Sequence, residues 1–187
     1  MNTKKILLLS DSHGNIQGLT AVLKWANDYA PDLAVYLGDG VADLPKAEMA
    51  SGFVCEWQKV RGNNDWGFSV SDPETAVFDF GGHRFFMCHG HRYGLHWGET
   101  HSFIAAARNN GATVALFGHT HAPFLGNDNS LLLLNPGSIS RPRSNVGATF
   151  AVLECSPDTP PQVRFFGIGL GGAITTLPSI MRHCSVP

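Results

Sequence analysis

Five short stretches gather side chains that could hold a metal ion: "SDSHGN" from Ser10, "LGDG" from Leu37, "RGNND" from Arg61, "HGH" from His89 and "GHTH" from Gly118. Carboxylate and imidazole suit divalent first-row metals, and Asn adds a neutral carbonyl oxygen. The glycines let the backbone take positive φ or approach an ion closely. Taken singly, each stretch is ordinary turn vocabulary. Asp11 and His13, or Gly38 before Asp39, occur in many turns, and Asn63 or Asn64 fits a left-handed turn position. His89 with His91, and His119 with His121, read either as paired ligands or as polar residues at a sheet edge. Five such turns in one chain shift the balance toward a shared site, and a total of nine histidines points the same way. The cysteines do not. Cys55, Cys88, Cys155 and Cys184 are scattered without a CxxC pair, and only Cys88 adjoins a polar turn, just ahead of His89. That spacing fits free thiols in a reducing compartment, not a thiolate zinc site.

Each polar turn follows an apolar run that can position it. "KKILLLS" reads as a buried strand. Asn15 to Tyr29 reads as an amphipathic helix with Ile16, Leu19, Leu23 and Ala26 on one face, stopped by Pro31. "DLAVYLGDG" is a second strand and "GFVCEWQKVRGNND" a third, with a short helix in "ADLPKAEMA" between them. "TAVFDFGGHRFFMCHGH" predicts a hairpin turning at Gly81 and Gly82. "ETHSFIAAARNNG" predicts a helix closed by Gly111, and "ATVALFGHTH" another buried strand. "SLLLLNPGSI", "ATFAVLEC" and "QVRFFGIG" add strands joined by turns. The segment from Gly169 to Pro187 carries weak signals and is expected to pack on the surface or stay loose. "FFGIGLGGAI" is expected to be exposed, a candidate dimer contact. In open α/β sheets ligands bind beyond the carboxyl ends of the strands, so polar turns at successive strand ends can converge on one place.

With 187 residues, 43% hydrophobic and 15% charged, the expectation is a single domain over 1–187, neither disordered nor a coiled coil. A net charge of -2 and the lack of a run of Lys or Arg give no electrostatic reason to expect a nucleic-acid polymer as partner. The apolar run Ile6 to Leu9 after "MNTKK" is too short for a secretory leader, and no stretch approaches the ~18 apolar residues of a membrane span. A soluble, cytoplasmic protein with no membrane partner is expected.

The ordered set Asp11-x-His13, Gly38-Asp39, Gly62-Asn63-Asn64-Asp65, His89-Gly90 and Gly118-His119-Thr120-His121 resembles the calcineurin-like metallophosphoesterase superfamily. Chain size, the "CHGH" turn and the "NPGSISRPR" segment look most like the small bacterial and archaeal phosphodiesterases of the YfcE type. The resemblance implies an α/β fold, a four-layer αββα sandwich of two mixed β-sheets flanked by helices. It also implies two divalent transition metal ions, manganese first, with nickel, iron, cobalt or zinc as alternatives. One ion would be held by Asp11, His13, Asp39 and His121, the other by Asp39, Asn63, His89 and His119, with Asp39 as the bridge. One position departs from the family. Many members carry a histidine after the ligand Asn, thought to protonate the leaving group, where this chain has Asn64. An amide cannot act as a general acid. YfcE-type relatives also lack that histidine. His91 is then the candidate for proton delivery, with a supporting histidine as the alternative reading, and Asp65 would orient its neighbours. Nearby, His96 could touch substrate. Arg141 and Arg143 are either phosphate contacts or surface arginines. Trp66 either stacks on a substrate ring or packs against the core. His83, His101 and His183 read as a hairpin residue, a helix start and a tail residue.

The implied activity is hydrolysis of a small phosphodiester substrate by a hydroxide bridging two ions. Two divalent cations outweigh the carboxylates of Asp11 and Asp39 by about two positive charges, which attracts a phosphoester and opposes charge in the transition state. Ions roughly 3.5–4 Å apart also clamp the attacking and leaving oxygens. Without an acid at position 64, activated aryl diesters should outrun alkyl monoesters. The rival readings are a phosphomonoesterase or protein phosphatase of the same fold, a nuclease, and a non-catalytic scaffold like the retromer subunit that shares the fold. Filled ligand positions disfavour the scaffold, Asn64 and the short chain disfavour the protein phosphatase, and the net charge disfavours the nuclease. A homo-oligomer is compatible with the sequence.

Overall fold

The computed structural model describes residues 3–67 and 71–178, so His183 and Cys184 lie outside the described residues. From the N-terminus, strand β1 (Lys4–Leu9), helix α1 (Ile16–Tyr29), β2 (Leu33–Tyr36), α2 (Leu44–Ser51) and β3 (Trp57–Lys59) alternate. The hairpin of β4 (Thr75–Phe80) and β5 (His83–Cys88) follows, then α3 (His101–Asn109) and β6 (Val114–Phe117). The rest is β: β7 (Phe124–Asp128), β8 (Leu131–Asn135), β9 (Ala148–Ser156), β10 (Thr159–Ile168) and β11 (Ile174–Thr176). Among the described residues no helix is long and apolar enough to cross a membrane.

Two mixed sheets result, a six-stranded one in the order β11-β10-β9-β1-β2-β3 and a five-stranded one in the order β4-β5-β6-β8-β7. In the first, β1, β2 and β3 are parallel and the meander of β9, β10 and β11 is antiparallel. In the second, β5, β6 and β8 are parallel, with β4 and β7 antiparallel at the edges. Alternation along each strand sorts the apolar residues into layers. Ile6 and Leu8 of β1 point into the core between the sheets, where they share a cluster with Val35, Phe85, Met87 and Leu116. Leu7 and Leu9 point the other way, into a cluster with Leu19 and Leu23 of α1 and Ala47 of α2. On the far side, Phe86, Ala115 and Phe117 cluster with Phe103 and Ala107 of α3. The order is helix, sheet, sheet, helix. Strands covered on both faces explain why β1, β2 and β6 read as continuous apolar runs.

Local signals agree with this. The Asn15 side chain caps α1 by accepting from Gly18 N at 2.9 Å, and Ala30 ends the helix in the left-handed region, ahead of Pro31. The structure adds to the sequence reading in two places and changes it in one. Phe124–Asp128 is a strand although "FLGND" carries no β-branched residue, because antiparallel pairing with β8 supports it. Of the two alternatives for the segment after Gly169, surface packing holds over Ile174–Thr176, which pairs with β10. "FFGIGLGGAI" is not an exposed apolar stretch either. Phe165 and Phe166 are 2% and 5% exposed and lie in different cores, while Leu170 projects fully.

Candidate metal centre

The parallel strands β1, β2 and β3 of one sheet and β5 and β6 of the other each run directly into one of the polar turns. Backbone hydrogen bonds lock these turns together. Asp11 N donates to Gly38 O at 3.0 Å, His13 N to Asp39 O at 3.1 Å, and Gly118 N to His89 O at 2.9 Å. The His89 ring crosses between the sheets, its Nδ1–H donating to Leu37 O at 2.6 Å.

Five of the ligand candidates occupy the left-handed region: Asp11, His13, Asp39, His119 and His121 have φ of 58, 44, 58, 64 and 59°. For non-glycine residues such backbone costs of order 1–3 kcal/mol each and persists only where the surroundings over-determine it. Here the surroundings are hydrogen bonds. The Asp65 carboxylate accepts from Asp39 N at 2.7 Å, Gly40 N at 2.8 Å, Val41 N at 3.0 Å and Gly62 N at 2.8 Å. Asp43 Oδ2 accepts from Ser12 Oγ at 2.5 Å and Gly14 N at 2.8 Å. Ser138 Oγ donates to Asp11 O at 2.9 Å, and Asn135 Nδ2 donates to Gly118 O at 2.7 Å.

The donor atoms of Asp11, His13, Asp39 and His121 all lie within 4.8 Å of one another, and no second group this compact occurs among the described residues. His121 Nε2 stands 3.2 Å from Asp11 Oδ1 and 3.1 Å from His13 Nε2. Its Nδ1–H is spent on Arg141 O at 2.8 Å, so the Nε2 lone pair faces the group. His89 is set the same way, with Nε2 3.3 Å from Asp39 Oδ2. The His119 ring lies 5.1 Å from the His89 ring, centroid to centroid. Asp11 Oδ1, Asn63 Oδ1 and His89 Nε2 are buried without a hydrogen-bond partner. An unpartnered buried polar group costs about 1–3 kcal/mol. Asp11 Oδ1 and His89 Nε2 lie 3.9 Å apart and Asn63 lines the cleft over the group, so the residues present fit a bound cation.

Charge follows from the same packing. Burial works to raise Asp39, but nearby His89 and the Asn64 amides overcome it and hold the carboxyl well below the usual range. Asn64 N donates to Asp39 Oδ1 at 2.7 Å and Asn64 Nδ2 to Oδ2 at 2.5 Å. Burial lowers His13, His91 and His119, the last to about 4. These rings are neutral at pH 7 and free to donate a lone pair. His89 is the exception: burial pushes it down, but Asp39 and Asp11 push it up further.

Two clefts open over the group. One, of about 330 Å³, is lined by His13, Asp39, Asn64, Asp65, Trp66 and Arg141 among others. The other, of about 370 Å³, includes Asn63, Asn64, His119, His121, Arg141 and Arg143. Asp11, His13, Asp39, Asn63, Asn64, Asp65, His89, His119 and His121 therefore come together. His91 does not reach the clefts: its ring lies 5.6 Å from that of His89, and its Nδ1 is buried without a partner. His96 Nδ1 meets Arg143 Nη1 at 3.0 Å. Trp66 is 82% exposed and does not pack against the core. Sequence reasoning missed Asp43, Asn135 and Ser138. The last two had a signal, since "NPGS" after the apolar run of β8 is a sixth polar turn at a strand end. Asp43, at the start of a short helix, had none.

Residues 5–158 match the family model described as the calcineurin-like phosphoesterase superfamily domain. The chain is 30% identical over 144 residues to a probable metallophosphoesterase of Mycoplasma genitalium, a stretch covering 75% of this chain and 80% of the relative. It is 27% identical over 169 residues to phosphodiesterase YfcE of Escherichia coli K12, covering 80% of this chain and 87% of the relative. Among solved structures, a predicted phosphoesterase from Streptococcus pneumoniae has a TM-score of 0.74 at 26% identity, over 95% of this chain and 99% of that one.

Proposed function

Because the chain belongs to the calcineurin-like phosphoesterase superfamily, we propose that it is a metal-dependent hydrolase of small phosphodiesters built around a dinuclear centre. Relatives named metallophosphoesterase and phosphodiesterase support a hydrolase of phosphoesters. The observation that carries the proposal is the compact group of Asp11, His13, Asp39 and His121 beside the unpartnered Asn63 Oδ1 and His89 Nε2. One ion would sit among the first four residues, and a second among Asp39, Asn63, His89 and His119, with manganese the first choice. Bound there, the ions would supply an activated water and positive charge opposite the phosphate.

The chain's own residues do the rest. Asn64 and Asp65 hold Asp39 and its turn in place. Among the described arginines, Arg61, Arg84, Arg92, Arg108 and Arg164 each pair with a carboxylate. Arg141 and Arg143 have no carboxylate partner there, and both line the larger cleft. Unpaired guanidinium groups beside the centre suit an anionic phosphate. No histidine outside the two ligand sets lines either cleft. His91 lines neither cleft, its ring standing 6.2 Å from that of His119, and it stays the candidate for proton delivery beside its reading as a supporting histidine. Asn64 in place of an acid favours leaving groups that depart unprotonated.

The test is a comparison of substrates in the Mn²⁺-restored protein. Turnover of bis-p-nitrophenyl phosphate should exceed that of glycerol 3-phosphate by about a hundredfold or more, the usual contribution of a missing general acid. Equal rates would favour a phosphomonoesterase. No turnover of either by folded, metal-loaded protein would favour a scaffold.

A further inference from the structure

The described tryptophans divide by what they touch. Trp25 packs on Tyr29, Phe150 and Phe166 with ring centroids 4.6, 5.1 and 4.7 Å away. Trp57 packs edge-on against Phe53 and donates its indole N–H to Glu48 Oε1 at 2.7 Å. Trp97 is exposed but stands against His96 and lines neither cleft. Trp66 differs from all three. It is 82% exposed, has no ring neighbour or indole partner among the described residues, and lines the smaller cleft with Asp39, Asn64 and Arg141. A large amphipathic ring normally gains by covering its apolar faces. This one leaves them free beside the centre, directly after Asp65, whose four backbone contacts fix the turn that carries it.

Arg141 lines both clefts, so a phosphate gripped by it lies where the two meet. A phosphodiester has two ester arms, and one must then run along the Trp66 side. We infer that this cleft takes a planar aromatic arm stacked on Trp66, which makes the substrate class phosphodiesters carrying a nucleobase or an aryl ring. The neighbouring cleft offers Pro142 and Arg143 but no aromatic ring apart from its histidines, so the selection for a planar group lies on the Trp66 side. The inference rests on the phosphodiesterase reading only in placing a phosphate at the centre.

Binding, not turnover, tests it. Isothermal titration of Mn²⁺-loaded protein would use three monophosphates: adenosine 5′-monophosphate, phenyl phosphate and ribose 5-phosphate. Wild type should bind the two ring-bearing probes at least about fivefold tighter than ribose 5-phosphate, the lower end of what one ring stack contributes. Trp66→Ala should abolish that preference while leaving ribose 5-phosphate unchanged, and Trp66→Phe should keep most of it. Arg141→Ala should weaken all three alike. Tighter binding of the nucleotide than of phenyl phosphate identifies a nucleobase arm; equal binding means that an aryl ring suffices. A preference that survives Trp66→Ala, no preference in wild type, or no binding of any probe would overturn the inference. Ring preference without diester hydrolysis would instead sink the phosphodiesterase reading and leave the Trp66 subsite standing.

Discussion

Asp39 is constrained through both its backbone and its carboxylate. Its backbone lies in the left-handed region, its amide donates to Asp65, and both its carboxylate oxygens accept from Asn64. Asp65 lines the smaller cleft and holds this turn through four backbone amides. Asp65→Asn should therefore lower Mn²⁺ affinity by about 10–100-fold, the usual loss for a ligand's supporting partner, as read by calorimetry. An unchanged affinity would mean that the turn holds itself. His89 supports a pH prediction with a definite sign. Asp39 and Asp11 raise its pKa above the ordinary 6.5, so just above that pH the metal-free protein still carries a proton there. A cation must displace that proton. Affinity should fall as pH drops through the raised value, and calorimetry near pH 7 in buffers of different ionisation enthalpy should show net proton release. His13 and His119, both lowered, should add nothing to it at that pH. The candidate ligands were legible in the sequence because Asp, His and Asn stand out in turns. The supports were less so: Asn135 and Ser138 were flagged only as one more polar turn, and their bonds to Gly118 and Asp11, like that of Asp43 to Ser12, span long separations that no local pattern reveals.

The turns are the elements under strain. At Gly38, φ is +96° and an added Cβ would lie 2.6 Å from Gly62 N and 2.8 Å from His89 Nδ1. At Gly14, φ is +84° but nothing lies within 4 Å of an added Cβ. Gly38→Ala should therefore cost more than the roughly 1–3 kcal/mol of backbone strain alone and weaken metal binding, whereas Gly14→Ala should cost no more than that strain. Thermal melts followed by circular dichroism would compare them; equal losses would remove steric closeness as the cause. The elements feeding these turns were readable where they are buried on both faces or capped, as with β1, β2, β6 and α1. They were poorly readable at the sheet edges, apart from β4, which its hairpin with β5 revealed. Strands β7 and β11 exist by pairing with β8 and β10, and the third predicted strand shrinks to Trp57–Lys59, paired only with β2.

Across the whole molecule, the N-terminal strand lies at the centre of the first sheet, with β2 on one side and β9 on the other. Pairing of Lys4 with Cys155 through Leu8 with Ala151 ties the first residues to the C-terminal half. The family match ends at residue 158, yet β10 continues the same sheet beside β9. The layered core presses the two sheets together through Leu8, Met87 and Leu116, and so holds turns from both around one centre. The dinuclear centre proposed above would need both of its ligand sets to work. The most direct test is to strip the protein of metal and follow bis-p-nitrophenyl phosphate hydrolysis as Mn²⁺ is added back by equivalents, beside Asp39→Ala. The account predicts no turnover without metal, a rise that levels off at two ions per chain, and an inactive variant. Full turnover at one ion, metal-independent turnover, or an active Asp39→Ala would contradict it.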